Sequence, residues 1–180
     1  MEMLKNSAWR FGGVMGERIA SNETGWLLRA PQANPGLLEM MRRRDGAVQE
    51  EPLPWIGEFA GKYLISAVQA CRMSAGAALE EFVGRFVAEL IETQAPNGYL
   101  GPFRSNEQLL GHWDLWGHYH IVAGLLMWHE RTGEAGALHC ARRAADLICE
   151  IYLEGTRRVA AAPDPDRKST RLNSSHITIS

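Results

Sequence analysis

Apolar residues recur every three or four positions from residue 55 almost to residue 153, the spacing of amphipathic helices and not of strands. The longest periodic region covers 55–94. Ser74-Ala75-Gly76 divides it, so the pattern predicts one helix over 55–73 and a second over 77–94. In the second, Leu79, Phe82, Val83, Phe86, Val87, Leu90 and Ile91 form one stripe, with the glutamates and Arg85 on the other side. A third helix is predicted over 113–131, stopped by Thr132-Gly133, and a fourth over 135–153. Pro96-Asn97-Gly98 reads as a turn and 99–112 as a loop. Upstream the periodicity weakens. Residues 1–18, with Gly12, Gly13 and Gly16, read as an irregular lead-in, and 16–30 as a weak helix that Pro31 ends. Asn34-Pro35 pairs a capping side chain with a proline at the first helical position. The helix it starts would carry Leu37, Leu38, Met40 and Met41, end near Asp45-Gly46, and give way to a polar loop over 46–54. No strand pattern is present, so the fold class is all-α.

The two long hairpins resemble each other. Gly61-Lys62-Tyr63 laid over Gly117-His118-Tyr119 brings Ala67 over Ala123. With one residue inserted at the break, Ala88-Glu89-Leu90-Ile91 falls over Ala145-Asp146-Leu147-Ile148. A helical hairpin repeated after about 56 residues points to a solenoid or a closed α/α toroid. Gly57 with Gly61, and Gly117 with Gly124, provide smooth strips on which neighbouring helices can approach closely.

Composition narrows the function classes. Hydrophobic content of 46%, charge of 22% and a net charge of −2 describe an ordinary globular chain. The short cluster Arg42-Arg43-Arg44 is followed by Asp45, so nucleic acid is not an expected partner. No run is long enough to span a membrane and no signal peptide is evident, which makes the cytoplasm the default location. From Asp166 the sequence changes to DRKSTRLNSSHITIS, polar and without periodicity. Its first eleven residues resemble the translation of a common sequencing adapter. The expectation is that 1–165 is the N-terminal portion of a larger domain and 166–180 a non-native, disordered tail.

The densest chemistry lies in Trp113-Asp114-Leu115-Trp116-Gly117-His118-Tyr119-His120, which holds two of the six tryptophans and two of the six histidines. His118 and His120 are two residues apart, so on a helix they point about 200° apart and cannot grip one ion. Cys71, Cys140 and Cys149 stand mid-helix at no metal-ligand spacing, and no nucleophile elbow or phosphate loop is present. A sugar fits better. Rings of Trp113, Trp116 and Tyr119 can stack on the C–H face of a pyranose or furanose. Asp114, His118 and His120 can hydrogen-bond its hydroxyls. Glu58, at the start of the 55–73 helix, is a further candidate contact; it also suits the helix dipole. His120 is equally readable as a core histidine with its hydrogen bonds satisfied internally.

At larger scale, PWIGEFAGKYL at 54–64, Gln94 followed by NGYLGPF at 97–103, WDLWGHYHIVAGLL at 113–126, and RTG with ARRAADLI behind it resemble the N-terminal half of the β-L-arabinofuranosidase family, glycoside hydrolase family 127. The resemblance implies an (α/α)6 barrel, here an incomplete toroid, and a retaining exo-glycosidase acting on terminal β-L-arabinofuranosides. It also implies a cysteine nucleophile in a zinc site of three cysteines and one glutamate, with a second glutamate as acid/base. Nothing in this chain matches those groups. The expectation is therefore a chain that keeps part of a sugar pocket, formed by His120, His118, Trp116, Asp114 and Glu58, without catalytic residues or a metal site. Alternative readings are another α/α-toroid sugar enzyme, such as an epimerase or an unsaturated glycuronyl hydrolase, and a non-catalytic helical-repeat scaffold. A half toroid leaves apolar helix faces uncovered, so the chain alone is expected to be aggregation-prone or molten.

Overall fold

A computed structural model describes residues 9–46, 55–74, 76–109 and 113–155; the polar loop expected over 46–54 and the tail at 166–180 fall almost wholly outside them. The described residues form helices and no strand. Two hairpins dominate: α4 (Glu58–Met73) with α5 (Ala77–Glu92), and α6 (Asp114–Thr132) with α7 (Ala135–Cys149). Each boundary lies within a few residues of the expected one. The helix expected from 55 begins at Glu58, after a turn. The one expected to reach 153 ends its α-helical part at Cys149 and continues as a π-helical turn, Glu150–Glu154.

The glycines show how the hairpins meet. A Cβ on Gly61 would collide with the backbone of His120 and Ile121. One on Gly117 would lie 3.1 Å from the Gly57 carbonyl carbon, and one on Gly124 would lie 2.9 Å from Leu64 Cγ. The contacts advance together along both helices, 57 to 117, 61 to 121 and 64 to 124, so α4 and α6 run side by side and parallel. This close approach buries Ala60, Leu64, Ala67 and Val68 of α4 completely, together with Ile121 and Leu125 of α6. Leu79, Val83, Val87 and Leu90 of α5, and Ala137, Cys140, Ala141 and Ala144 of α7, complete the same core.

The repeat is real, with a corrected register. Burial along α6 reproduces burial along α4 at an offset of 57 residues: Leu64 matches Ile121, Ala67 matches Gly124, Val68 matches Leu125, and Cys71 matches Trp128. The same offset places Val83 over Cys140, Val87 over Ala144 and Leu90 over Leu147, so no inserted residue is needed. The superposition built on Gly-x-Tyr was one residue out. Tyr63 is buried and donates to the Leu27 carbonyl at 2.9 Å, whereas Tyr119 is 60% exposed.

The first forty residues hold more helix than their periodicity suggests. α1 (Gly13–Asn22) begins inside the expected lead-in and runs into a π-helical turn, Glu23–Leu27. Pro31 does not end a helix; it lies in the first turn of the short α2 (Ala30–Ala33), where its missing N–H costs nothing. α3 (Gly36–Arg42) starts after Pro35 without a side-chain cap, because Asn34 offers its carbonyl, not its side chain, to the Leu37 N–H. Leu27, Leu37, Leu38 and Met41 join the main core. Among the described residues, one side of the α4–α6 pair is left open. Phe59, Lys62, Ser66, Gln69 and Met73 form an exposed stripe on α4, and Tyr119, Leu126 and Glu130 are exposed on α6.

Candidate functional site

The first two turns of α6 separate the expected site residues into two groups. Asp114 and His118 lie on the side covered by the loop between α5 and α6, and are 2% and 1% exposed. Asp114 Oδ2 accepts from the Tyr99 hydroxyl at 3.0 Å and from the Leu109 N–H at 2.8 Å. The Tyr99 hydroxyl in turn accepts from the Phe103 N–H at 3.1 Å. His118 Nδ1 donates to the Asp114 carbonyl at 2.9 Å, with Asp114 Oδ1 3.3 Å away, and its Nε2 accepts from the Leu100 N–H at 3.2 Å. That last bond assigns the neutral ring with its proton on Nδ1. Burial opposes a charge on His118, but the Asp114 carboxylate outweighs it and lifts the imidazole above its ordinary value. A second proton would displace the Leu100 contact. Burial and then Asp114 hold the Tyr99 phenol well above its usual range, so it stays a donor. Asp114 and His118 are thus hydrogen-bonded to the loop between α5 and α6.

The loop is pinned from other directions by Arg44, Gln94 and Arg143, none of which was among the candidate site residues. Arg44 donates to the Gly101 carbonyl at 2.8 Å and to the Thr93 carbonyl, and its guanidinium lies 5.7 Å from the centre of the Tyr99 ring. Gln94 donates to the carbonyls of Gly98 and Cys140, both at 2.9 Å, and Arg143 donates to those of Ala95 and Pro96. Leu109 and Trp113 both adopt left-handed backbone, at φ of 55° and 59°. Each such residue costs on the order of 1 kcal/mol, which the surrounding hydrogen bonds must offset. Residue type carries no signal for this strain, since neither residue is glycine or asparagine.

Trp116 and His120 emerge on the other side of α6, with Tyr119 beside them. The Trp116 ring stacks on Tyr119 at 5.6 Å and meets the His120 ring edge-on at 4.7 Å. His120 Nδ1 donates to the Trp116 carbonyl at 2.8 Å. Its Nε2 is left as an acceptor with no partner among the described residues. His120 is 9% exposed and lies at the floor of the open face, against Gly61 of α4.

Glu58 opens α4 on the same level, one turn before Gly61. It is 8% exposed. Oε1 pairs with Lys62 Nζ at 2.7 Å, while Oε2 is buried with no hydrogen-bond partner. The Glu58 backbone lies against Gly117 of α6, so the Glu58–Lys62 pair stands at the level where the two helices meet. Lys62 was absent from the sequence candidates, although Glu and Lys at i, i+4 was a readable signal.

Among the described residues no group of three or more His, Cys, Asp and Glu is placed to hold a metal ion. Cys71 and Cys140 are buried in separate helices, and burial pushes both thiols up to about 11. These residues do not fit a three-cysteine, one-glutamate set. Among the described residues no helix is long and apolar enough to cross a membrane.

The family model described as β-L-arabinofuranosidase, GH127 catalytic domain, matches residues 17–162. No curated protein matches. Among solved structures, the GH127 β-L-arabinofuranosidase Ara127N from Geobacillus stearothermophilus T6 superposes with a TM-score of 0.64 at 15% identity, over 79% of this chain and 25% of its own. The GH127 β-arabinofuranosidase BT3674 superposes with a TM-score of 0.64 at 16% identity, over 82% of this chain and 26% of its own. These likenesses carry the fold, part of an α/α barrel, and the chain spans about a quarter of the length of either structure. By the family match over most of its length, the chain belongs to the GH127 β-L-arabinofuranosidase catalytic-domain family.

Proposed function

We propose that this chain is the N-terminal part of a glycoside hydrolase barrel and that the open face of α4 and α6 is one wall of its sugar pocket. The substrate class is a terminal arabinofuranoside, in keeping with the family. His120 carries the reading. Its Nδ1 is committed to the Trp116 carbonyl, its Nε2 has no partner among the described residues, and two aromatic rings fix its plane. A fixed acceptor beside aromatic faces is what recognition of a hydroxylated, partly apolar ring requires. Trp116 and Tyr119 offer the stacking surface. Asp114 and His118 serve the pocket indirectly, by holding the loop against the start of α6. The groups that break the glycosidic bond, and the zinc that the family implies, belong to parts of the barrel other than these helices. On this reading these helices supply a sugar-facing wall and no bond-breaking group.

The test uses the completed gene. His120→Ala should lower kcat/KM on an aryl β-L-arabinofuranoside by about a hundredfold, as expected when a substrate-orienting contact is lost. An unchanged kcat/KM removes His120 from the pocket and the reading with it.

A further inference from the structure

His118 is a titratable ring with both nitrogens already in use. Nδ1 donates to the Asp114 carbonyl at 2.9 Å, within its own helix, and Nε2 accepts from the Leu100 N–H at 3.2 Å. The second bond ties the loop to α6, and only an unprotonated Nε2 can make it. Charged and titratable groups act on the ring from each element packed against it. The Asp114 carboxylate of α6 stands 3.3 Å from Nδ1 and favours a charged ring. Arg44, just beyond α3, opposes that charge. The Tyr99 ring of the loop lies 5.0 Å away, and its phenol stays protonated, so it adds no charge. Burial opposes the charge as well while the loop is closed, since the ring is 1% exposed.

A closed loop therefore binds a second proton less tightly than an opened one. With the loop closed, a charged ring forfeits its hydration and sets its Nε2–H against the Leu100 N–H, donor facing donor. Opening relieves both penalties and leaves Asp114, on the same helix, beside the ring. The form with the greater proton affinity gains as pH falls. We propose that His118 is an acid-sensitive latch: when it takes up a proton from water, Nε2 becomes a donor and the backbone at Leu100 comes away from α6. Uptake and opening are one event, because the ring meets water only as the loop lifts. The Tyr99 hydroxyl and the Leu109 N–H stay in place, since they bond to Asp114 and not to His118. The Leu100 bond is present at high pH and is lost as pH falls. The Asp114 carboxylate starts that loss above the ordinary histidine range. The latch lies on the loop side of α6 and goes beyond the sugar-wall reading.

The experiment follows backbone amide exchange and the His118 ring signal in the protein made from the completed gene, between about pH 8 and pH 5. Corrected for the intrinsic pH dependence of exchange, protection of the Leu100 N–H should fall about tenfold, with the midpoint of the His118 titration. Leu109 should keep its protection across the same range. Asp114→Asn retains an acceptor for Tyr99 and Leu109 but removes the charge, and should move the midpoint down by about one pH unit. His118→Gln has no proton to gain and should leave Leu100 protection independent of pH. The latch is overturned if His118 does not titrate in this range, or titrates while Leu100 protection stays constant. It is equally overturned if Leu109 loses protection in step with Leu100, or if His118→Gln shows the wild-type pH dependence. The wild-type measurement alone decides the matter should either variant fail to fold. No sugar enters the readout, so the latch and the His120 assignment stand or fall separately.

Discussion

His118 and His120 are the same residue type on the same helix, two positions apart, and both are nearly buried. Their difference lies in hydrogen bonding. Both nitrogens of His118 are occupied, one by its own helix and one by the loop, whereas His120 has one nitrogen tied and one without a partner among the described residues. The same contrast separates Asp114 from Glu58. Asp114 Oδ2 takes two donors from the loop, whereas Glu58 has a buried oxygen with no hydrogen-bond partner among the described residues. One side of the α4–α6 start is a closed clamp and the other an open wall. Exposure alone would have grouped all four residues together; counting donors and acceptors separates them.

The largest expected effect is on the clamp. Asp114→Ala orphans the Tyr99 hydroxyl and the Leu109 N–H, and should cost about 3–4 kcal/mol in urea unfolding followed by near-UV circular dichroism. If it unfolds no earlier than an open-wall variant, the division is gone. Gly61→Leu attacks the seam that both sides share, and overpacking against the His120 backbone should cost about 2–3 kcal/mol. Removing only the Tyr99 hydroxyl, by Tyr99→Phe, should cost about 1–2 kcal/mol and leave sugar affinity unchanged. The histidines sharpen the contrast most directly. His118→Gln should lower stability by about 1–2 kcal/mol without altering sugar affinity, whereas His120→Gln should do the reverse; matching phenotypes would mean that the two sides are one site. The smallest effect belongs to Tyr119→Ser, which should change stability by less than about 0.5 kcal/mol and weaken sugar binding severalfold.

Much of the fold was readable because periodicity reports the buried face directly. The four long helices, their breaks and the glycine contact strips follow from residue spacing and size alone, and so does the hairpin repeat. The one-residue error in its register came from matching letters, Gly-x-Tyr, when burial repeats on different letters: Leu64 with Ile121, Val68 with Leu125. α1 and the short α2 were under-read because α1 buries no residue at all, so it prints no stripe. In the site, Trp116 and His120 could be chosen from aromatic density, and Asp114 and His118 came with them because they share the same eight residues. Nothing in that stretch says which side the loop will cover.

The sequence by itself determined that the chain is helical, that its hairpins repeat, and that sugar-compatible side chains gather at the start of α6. These are local properties, set by spacing along a helix and by residue chemistry. Only the tertiary structure decided which of those side chains are consumed. Arg44, Gln94 and Arg143 fold the 93–109 segment onto one side of α6, and that packing gives Asp114 and His118 their partners. Parallel contact through Gly57, Gly61, Gly117 and Gly124 sets the first turns of α4 against the first turns of α6 and brings Gly61 against His120, though 59 positions separate them. A hydrogen bond depends on what lies within about 3 Å in space, and sequence order does not specify that until the chain has packed.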